Sequence, residues 1–318
     1  MQASISILQK YISWIKESEG IALSDKLLLF FVKLNYISLR IILLVLGKKR
    51  RNRLIVKGGL DFGTLWKNYF DFWKIVKKDS TLLKFKMPKY DYEFFCRNNK
   101  DDFKIMTFHE DDIMEHNFTP KEGDIVVDIG AHIGPYTLIA ARRVGPKGKV
   151  IAIEADHDNF DLLNLNISLN KLTNVIAVNY AVYSKEETIK LYLPCGKEHS
   201  SYTKYNTVMP DRALGETNFI EVNANTLDSI LQENGITHEQ VNWIKIDVEG
   251  AEFEVLKGAR DVLSKSRNVS LLIEIHNVSG RTNLYEHIKE FLNLYNFKIE
   301  YEKIYQENGE RHIVARKY

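Results

Sequence analysis

From Ile125 onward, short apolar runs bounded by polar clusters alternate with segments whose apolar residues recur at helical spacing. The runs at 125–129, 150–154, 174–179, 243–247 and 271–276 predict buried strands. Helices are predicted over 158–170 (Phe160, Leu163 and Ile167 on one side), over 227–232 behind a Thr226 cap, from about Ala251 to Gly258, and over 284–294. Segments 188–193 and 219–222 read as further strands, and alternation at 297–305 and 312–316 predicts an antiparallel pair at the sheet edge. Such alternation of strands and helices implies a parallel sheet with right-handed crossovers and ligands at the carboxyl ends of its strands. Residues 195–213 are polar and irregular, a length that suits a lid or a substrate loop.

Upstream the pattern changes. Ile5, Leu8, Ile12 and Ile15 give residues 1–20 one apolar side. The most apolar stretch, 27–47, is long enough to span a bilayer, but Lys33 and Arg40 interrupt it, and with Lys26 they form one polar stripe. A basic cluster follows at 48–53, which favours anionic headgroups and a cytoplasmic side. Three readings stand: a helix in the membrane interface, a true span, or a helix packed on the main domain. No signal-peptide pattern is present. Phe62, Trp66, Tyr69, Phe70, Trp73 and Val76 sit at helical spacing as a core-facing stripe, and 84–87 and 92–95 read as short strands. Glu110, Asp111, Asp112, Glu115 and His116 read as a solvated helix face rather than a metal site. The turn chemistry of 119–124 delivers the chain into the strand at Ile125. The expected organisation is therefore a helical extension over 1–53, a mixed region over 54–122, and a catalytic domain over 123–318.

Composition adds limits. A length of 318 residues suits one domain plus an appendage, and 45% hydrophobic with 27% charged residues is ordinary for a globular chain. The net charge of +2 gives no case for nucleic acid as a partner. Two cysteines, Cys96 and Cys195, stand far apart, which disfavours a disulfide framework or structural zinc and fits a reducing compartment. The expected location is cytoplasmic, with the inner face of the membrane as the alternative.

The chemistry concentrates in the strand-turn-helix around Asp128, Gly130 and Gly134. Glycines there allow close backbone approach of a ligand. Glu154 closes the next strand, where an acid can accept hydrogen bonds from both ribose hydroxyls of a nucleoside. The dinucleotide pattern G-x-G-x-x-G lacks its middle glycine here, and an acid at the strand end repels a pyrophosphate. A nucleoside with a cationic or zwitterionic tail fits better, and S-adenosylmethionine is the obvious candidate.

The runs VVDIGAHIGPYTLIAA, VIAIEAD, NVIAVNYAV, NTLDSI, WIKIDVEGAEFEVLKGA and LLIEIH, in this order, resemble the FkbM-type family of S-adenosylmethionine-dependent methyltransferases. The resemblance covers roughly Gly123 to His276, and DVEGAE is its most specific part. It implies an α/β class I methyltransferase fold, Rossmann-like, with a seven-stranded mixed sheet flanked by helices, and methyl transfer to a hydroxyl oxygen. By position, it implies that Asp128, Gly130, Ala131 and Gly134 line the donor's amino-acid end, with Tyr136 and Thr137 nearby. It further places Glu154 at the ribose and Ala155 and Ala181 by the adenine, with Asp247 and Glu249 facing donor and acceptor. His132 stands where the family usually has asparagine, and introduces a titratable group.

A sugar hydroxyl is a weak nucleophile and benefits from a base. Asp247, Glu249 and His276 are the candidates, with Glu274 as an orienting or acid partner on the same strand face as His276. These carboxylates could hold a divalent metal, though spacing alone does not indicate one. The expected acceptor is a hydroxylated small molecule, a glycan or a lipid-linked glycan, with membrane contact through residues 1–53. Two other classes compete: a nicotinamide-dependent oxidoreductase and a catalytically idle membrane-associated scaffold. The sequence carries no reading of oligomeric state.

Overall fold

The computed structural model describes residues 82–87, 90–97, 102, 105–106, 111–193, 206–208, 218–276, 283–305 and 309–317. The expectations for 1–20, 27–47, 48–53 and the aromatic stripe from Phe62 to Val76 lie outside the described residues, as does most of the 195–213 loop. The chain divides into two compact units, Met1–Phe103 and Lys104–Tyr318.

In the first unit, β1 (Leu82–Met87) and β2 (Tyr92–Arg97) form an antiparallel hairpin, as the alternation at these positions predicts. Tyr92, Phe94 and Cys96 are buried, and Arg97 Nε donates to Asp102 Oδ2 at 2.8 Å.

The second unit opens with α1 (Asp111–His116), which buries Ile113 and Met114 and exposes Glu115 and His116. Phe118, following α1, sets its ring edge-on to Tyr136 and Trp243 at 5.3 and 5.4 Å.

The central sheet is built next. β3 (Ile125–Ile129), α2 (Pro135–Val144), β4 (Lys149–Ile153), α3 (His157–Leu169) and β5 (Val175–Val178) follow in alternation. β6 (Ala181–Val182), β7 (Glu187–Leu193) and β8 (Asn218–Asn225) lead to α4 (Leu227–Glu233). Then come β9 (Val241–Ile246), α5 (Glu252–Lys257), α6 (Arg260–Lys265), β10 (Ser270–Ile275), α7 (Leu284–Leu294), β11 (Phe297–Ile304) and β12 (Arg311–Lys317). The seven-stranded sheet has the order β11-β12-β10-β9-β3-β4-β5, with β12 antiparallel to both neighbours and the other pairings parallel. This is the Rossmann-like class I methyltransferase topology.

The central strands are buried on both faces, which is why they read as unbroken apolar runs rather than as alternation. Val127, Ile244, Ile273 and Leu271, all essentially unexposed, anchor one core between this sheet and α4 to α7. A second, smaller sheet, β6-β8-β7, sits apart from it. Its strands alternate: Val222 and Ala224 are buried while Glu221 and Asn223 face solvent, so the sheet needs cover on one side alone. Asp156 caps α3 by accepting from Asn159 N at 2.9 Å, and Thr226 caps α4 by accepting from Ser229 N at 3.1 Å.

Candidate active site

β3 and β9 lie side by side, so their carboxyl ends bring the Asp128 turn and the Asp247 turn together. Gly130 has φ +73°, and a Cβ there would meet the Asp247 carbonyl oxygen at 1.8 Å. The two turns can approach because this position is glycine. His132 takes φ +52°, a left-handed conformation that asparagine and histidine tolerate better than most residues. A single backbone demand thus accounts for both residue types at this position.

Above these turns lies a cavity of about 210 Å³. On one side it is lined by Gly130, His132, Tyr136, Glu154, Ala155 and Ala181. On the other stand Asp247, Glu249, Glu274 and His276. Asp128, Ala131 and Gly134, expected at the donor's amino-acid end, and Thr137, expected nearby, are not among the residues that line it. Asp128 is fully buried and accepts from Thr137 Oγ1 at 2.6 Å, a bond that turns both side chains inward. Ala131 packs with Leu163 in a small core, and Gly134, with φ +105°, closes against the Leu163 side chain, whose Cδ1 a Cβ would meet at 2.9 Å.

Glu154 is 7% exposed. Its Oε2 accepts from His132 N at 2.8 Å and its Oε1 from Asp156 N at 2.9 Å. Each carboxylate oxygen keeps acceptor capacity for a further donor. Burial pushes this carboxyl up to about 7, against the lowering effect of the two backbone donors. The cavity, the glycine turn and this doubly held acid fit a nucleoside-bearing ligand.

Across the cavity, His276 is the hub. Its Nδ1 lies 2.7 Å from Glu252 Oε1. Its Nε2 lies 3.3 Å from Glu249 Oε2, 3.5 Å from Glu274 Oε1 and 3.8 Å from Asp247 Oδ1. Burial alone would lower its pKa, but the surrounding carboxylates of Glu249, Glu252 and Glu274 prevail and raise it well above the usual histidine value. Glu274 Oε2 in turn lies 3.1 Å from His312 Nε2, because Glu274 and His312 face each other in the β10–β12 register. Glu249 has φ +53° and its carbonyl accepts from Thr207 Oγ1 at 2.6 Å, while Asn206 Nδ2 donates to Asp156 at 2.9 Å. The described piece of the 195–213 loop is thereby tied to both sides of the cavity.

Sequence reasoning missed Lys245. It is 5% exposed, with Nζ 3.2 Å from the Gly130 carbonyl, 3.3 Å from Asp247 Oδ2 and 3.6 Å from Asp128 Oδ1. Nζ also stands 5.0 Å from the centre of the Tyr136 ring. A lysine between Ile244 and Ile246 in a buried strand was the available signal. Glu252, the last acid of DVEGAE, was quoted within that motif but given no role, and it is fully buried. His312 carried no sequence signal, since its role depends on register.

The model of the methyltransferase FkbM domain matches residues 128–299, more than half of the chain. The chain belongs to the FkbM methyltransferase family. With membership comes the methyl donor, S-adenosylmethionine, and the nicotinamide reading loses its ground. Among the curated relatives, Methyltransferase sdnD of Sordaria araneosa is 30% identical over 178 residues, covering 49% of this chain and 66% of the relative. Hexuronic acid methyltransferase AglP of Haloferax volcanii is 30% identical over 159 residues, covering 49% of this chain and 57% of the relative. The matches thus span less than two thirds of these relatives' own lengths. A solved S-adenosylmethionine-dependent methyltransferase from Aquifex aeolicus aligns over 69% of this chain and 95% of that one, at 14% identity and a TM-score of 0.41.

Proposed function

We propose that this FkbM-family chain transfers a methyl group from S-adenosylmethionine to a hydroxyl oxygen of a glycan, glycolipid or related small molecule. The observation that carries this is one cavity with a ribose-type acid, Glu154, on one wall and the Asp247, Glu249, Glu274 and His276 group on the other. The bound donor supplies a methyl group already activated on sulfonium sulfur. Glu154 would accept the ribose hydroxyls, with Ala155 and Ala181 leaving space for the adenine. The chain then has to hold an acceptor hydroxyl in line with the methyl group and take its proton. The chain's own part in the transfer would be to take up the hydroxyl proton on a carboxylate of this wall. Asp247 and Glu249 would take that role. His276 would orient them, with Glu274 set against the same ring nitrogen. An acidic acceptor wall disfavours a polyphosphate backbone, which supports a sugar-like acceptor over nucleic acid. The name of the Haloferax relative supports a sugar acceptor as well.

Residues 1–53 would bring the enzyme to the inner face of a membrane, on the strength of their basic and apolar pattern. Among the described residues no helix is long and apolar enough to cross a membrane. Removing residues 1–53 should move the protein from the membrane pellet to the supernatant; a full-length chain found wholly in the supernatant would refute this. For the acceptor, mass spectrometry of glycans and lipids from cells with and without this chain should show a class of molecules that loses one methyl group. Unchanged profiles in every glycan and lipid fraction would count against the proposed acceptor class.

A further inference from the structure

We infer that Asp247, Glu249 and His276 form a divalent-cation site on the acceptor wall, suited to Mn²⁺ or Zn²⁺. One donor atom from each residue lies within 4.8 Å of the other two. The site's catalytic use rests on the methyl-transfer reading above, but its existence does not.

Glu252 provides an independent pointer. It lies behind the trio, is fully buried, and aims Oε1 at His276 Nδ1 from 2.7 Å. Oε1 also accepts from Gly250 N at 2.8 Å, whereas the buried Oε2 has no hydrogen-bond partner among the described residues. A carboxylate so placed is costly unless positive charge stands nearby. It accepts a hydrogen bond from Nδ1–H and leaves Nε2 facing Asp247 and Glu249. Metal-binding histidines are held in this way, with the second ring nitrogen donating to a carboxylate that fixes the tautomer. Four carboxylates, those of Asp247, Glu249, Glu252 and Glu274, converge on this one ring. A divalent ion at Nε2 in place of a proton raises the local positive charge by one.

The donor set decides the class of ion. One imidazole nitrogen with two carboxylate oxygens suits Mn²⁺ or Zn²⁺ better than the all-oxygen shells of Ca²⁺. A second trio, Glu274, His276 and Glu310, shares the same ring. Glu274 is already directed at His312 through its other oxygen, so it serves as an outer support. Three protein donors leave coordination positions open toward the cavity. A hydroxyl bound there would lose its proton more readily, and a sugar bearing two neighbouring oxygens or a carboxylate could be held against an acidic wall that otherwise repels it.

The test uses the full-length chain freed of metal by a chelator. Mn²⁺ alone is titrated by calorimetry, and S-adenosylmethionine is titrated separately into the same preparation. One ion per chain is expected, with affinity falling about tenfold or more in Glu249→Gln and Asp247→Asn, and by about 10- to 100-fold in Glu252→Gln, which removes a support and not a ligand. Electron spin-echo modulation of wild-type protein loaded with Mn²⁺ should show one directly bound imidazole nitrogen, a readout that needs no variant to fold. Absence of that nitrogen signal, or unchanged affinity in a folded Glu249→Gln, overturns the site. If S-adenosylmethionine binds and neither Mn²⁺ nor Zn²⁺ does, the inference fails and the methyl-transfer reading stands. Metal binding without S-adenosylmethionine binding keeps the site and defeats that reading.

Discussion

Replacing Lys245 with methionine keeps an unbranched stem in the buried strand and removes the charge at its end. Lys245 Nζ stands 3.6 Å from Asp128 Oδ1, and that aspartate is fully buried. Without the ammonium, Asp128 keeps its 2.6 Å bond from Thr137 but loses its cation. Breaking a buried pair by removing one partner costs about 3–5 kcal/mol, because the remaining charge is stranded. Asp247 is the lesser concern, since its side chain is 24% exposed and can turn toward water. We therefore expect Lys245→Met to cost about 3 kcal/mol, near the lower end of that range. Asp128→Asn should cost less, because Lys245 retains Asp247 and the Gly130 carbonyl. The double variant should be less damaged than the two losses added, with a coupling of about 1–3 kcal/mol. Urea unfolding of the four proteins, followed by circular dichroism and by tryptophan fluorescence, measures all three quantities. A Lys245→Met loss below about 0.5 kcal/mol, with additive effects across the cycle, would refute the claim that Lys245 and Asp128 form a coupled buried pair.

Three further outcomes follow from single positions. Gly130→Ala forces a side chain into φ +73° and toward the Asp247 carbonyl, so it should cost more than about 2 kcal/mol in thermal unfolding and abolish donor binding. Thr226→Ala removes the cap of α4 and should cost about 1 kcal/mol while leaving donor affinity unchanged, as calorimetry can check. Glu154 titrates near 7 when folded, above its ordinary value of 4.5, so the folded chain holds this proton more tightly than the unfolded chain does. Its contribution therefore favours folding below about pH 4.5 and is lost as pH rises to 7, a difference of roughly 3 kcal/mol that Glu154→Gln should erase. The same titration should make S-adenosylmethionine bind more tightly at pH 8 than at pH 6 in wild type, with a flatter profile in Glu154→Gln.

Much of this architecture was legible because the central strands are buried on both faces and therefore stand out as apolar runs. The helix at Leu284–Leu294 and the Thr226 cap were read from local pattern, since amphipathic periodicity and capping act within a few residues. Glu154 was legible for a related reason: the distance between a glycine turn and the next strand end is set by one crossover. The groups that hold the site from behind were harder to read. Lys245 pairs across two strands, Glu252 reaches back to a histidine on the next strand, and His312 meets Glu274 through an antiparallel register. Each depends on tertiary pairing that local pattern does not encode. Asp128 illustrates the converse, a strand-end acid in the expected place whose side chain is drawn inward by Thr137 and Lys245. Of the small β6-β8-β7 sheet, β7 and β8 were legible as strands, but the two-residue β6 and the sheet itself were not, because no sequence feature names the partner strands.

The central claim is that the cavity beneath Glu154 seats S-adenosylmethionine. Titration calorimetry of the donor into wild-type protein and into Glu154→Ala tests it most directly. The account predicts one molecule bound per chain in wild type, and a loss of about tenfold or more in the variant, since each hydrogen bond to a charged acceptor is worth about 1.5–3 kcal/mol. No binding to wild type, or equal binding to both folded proteins, would contradict it.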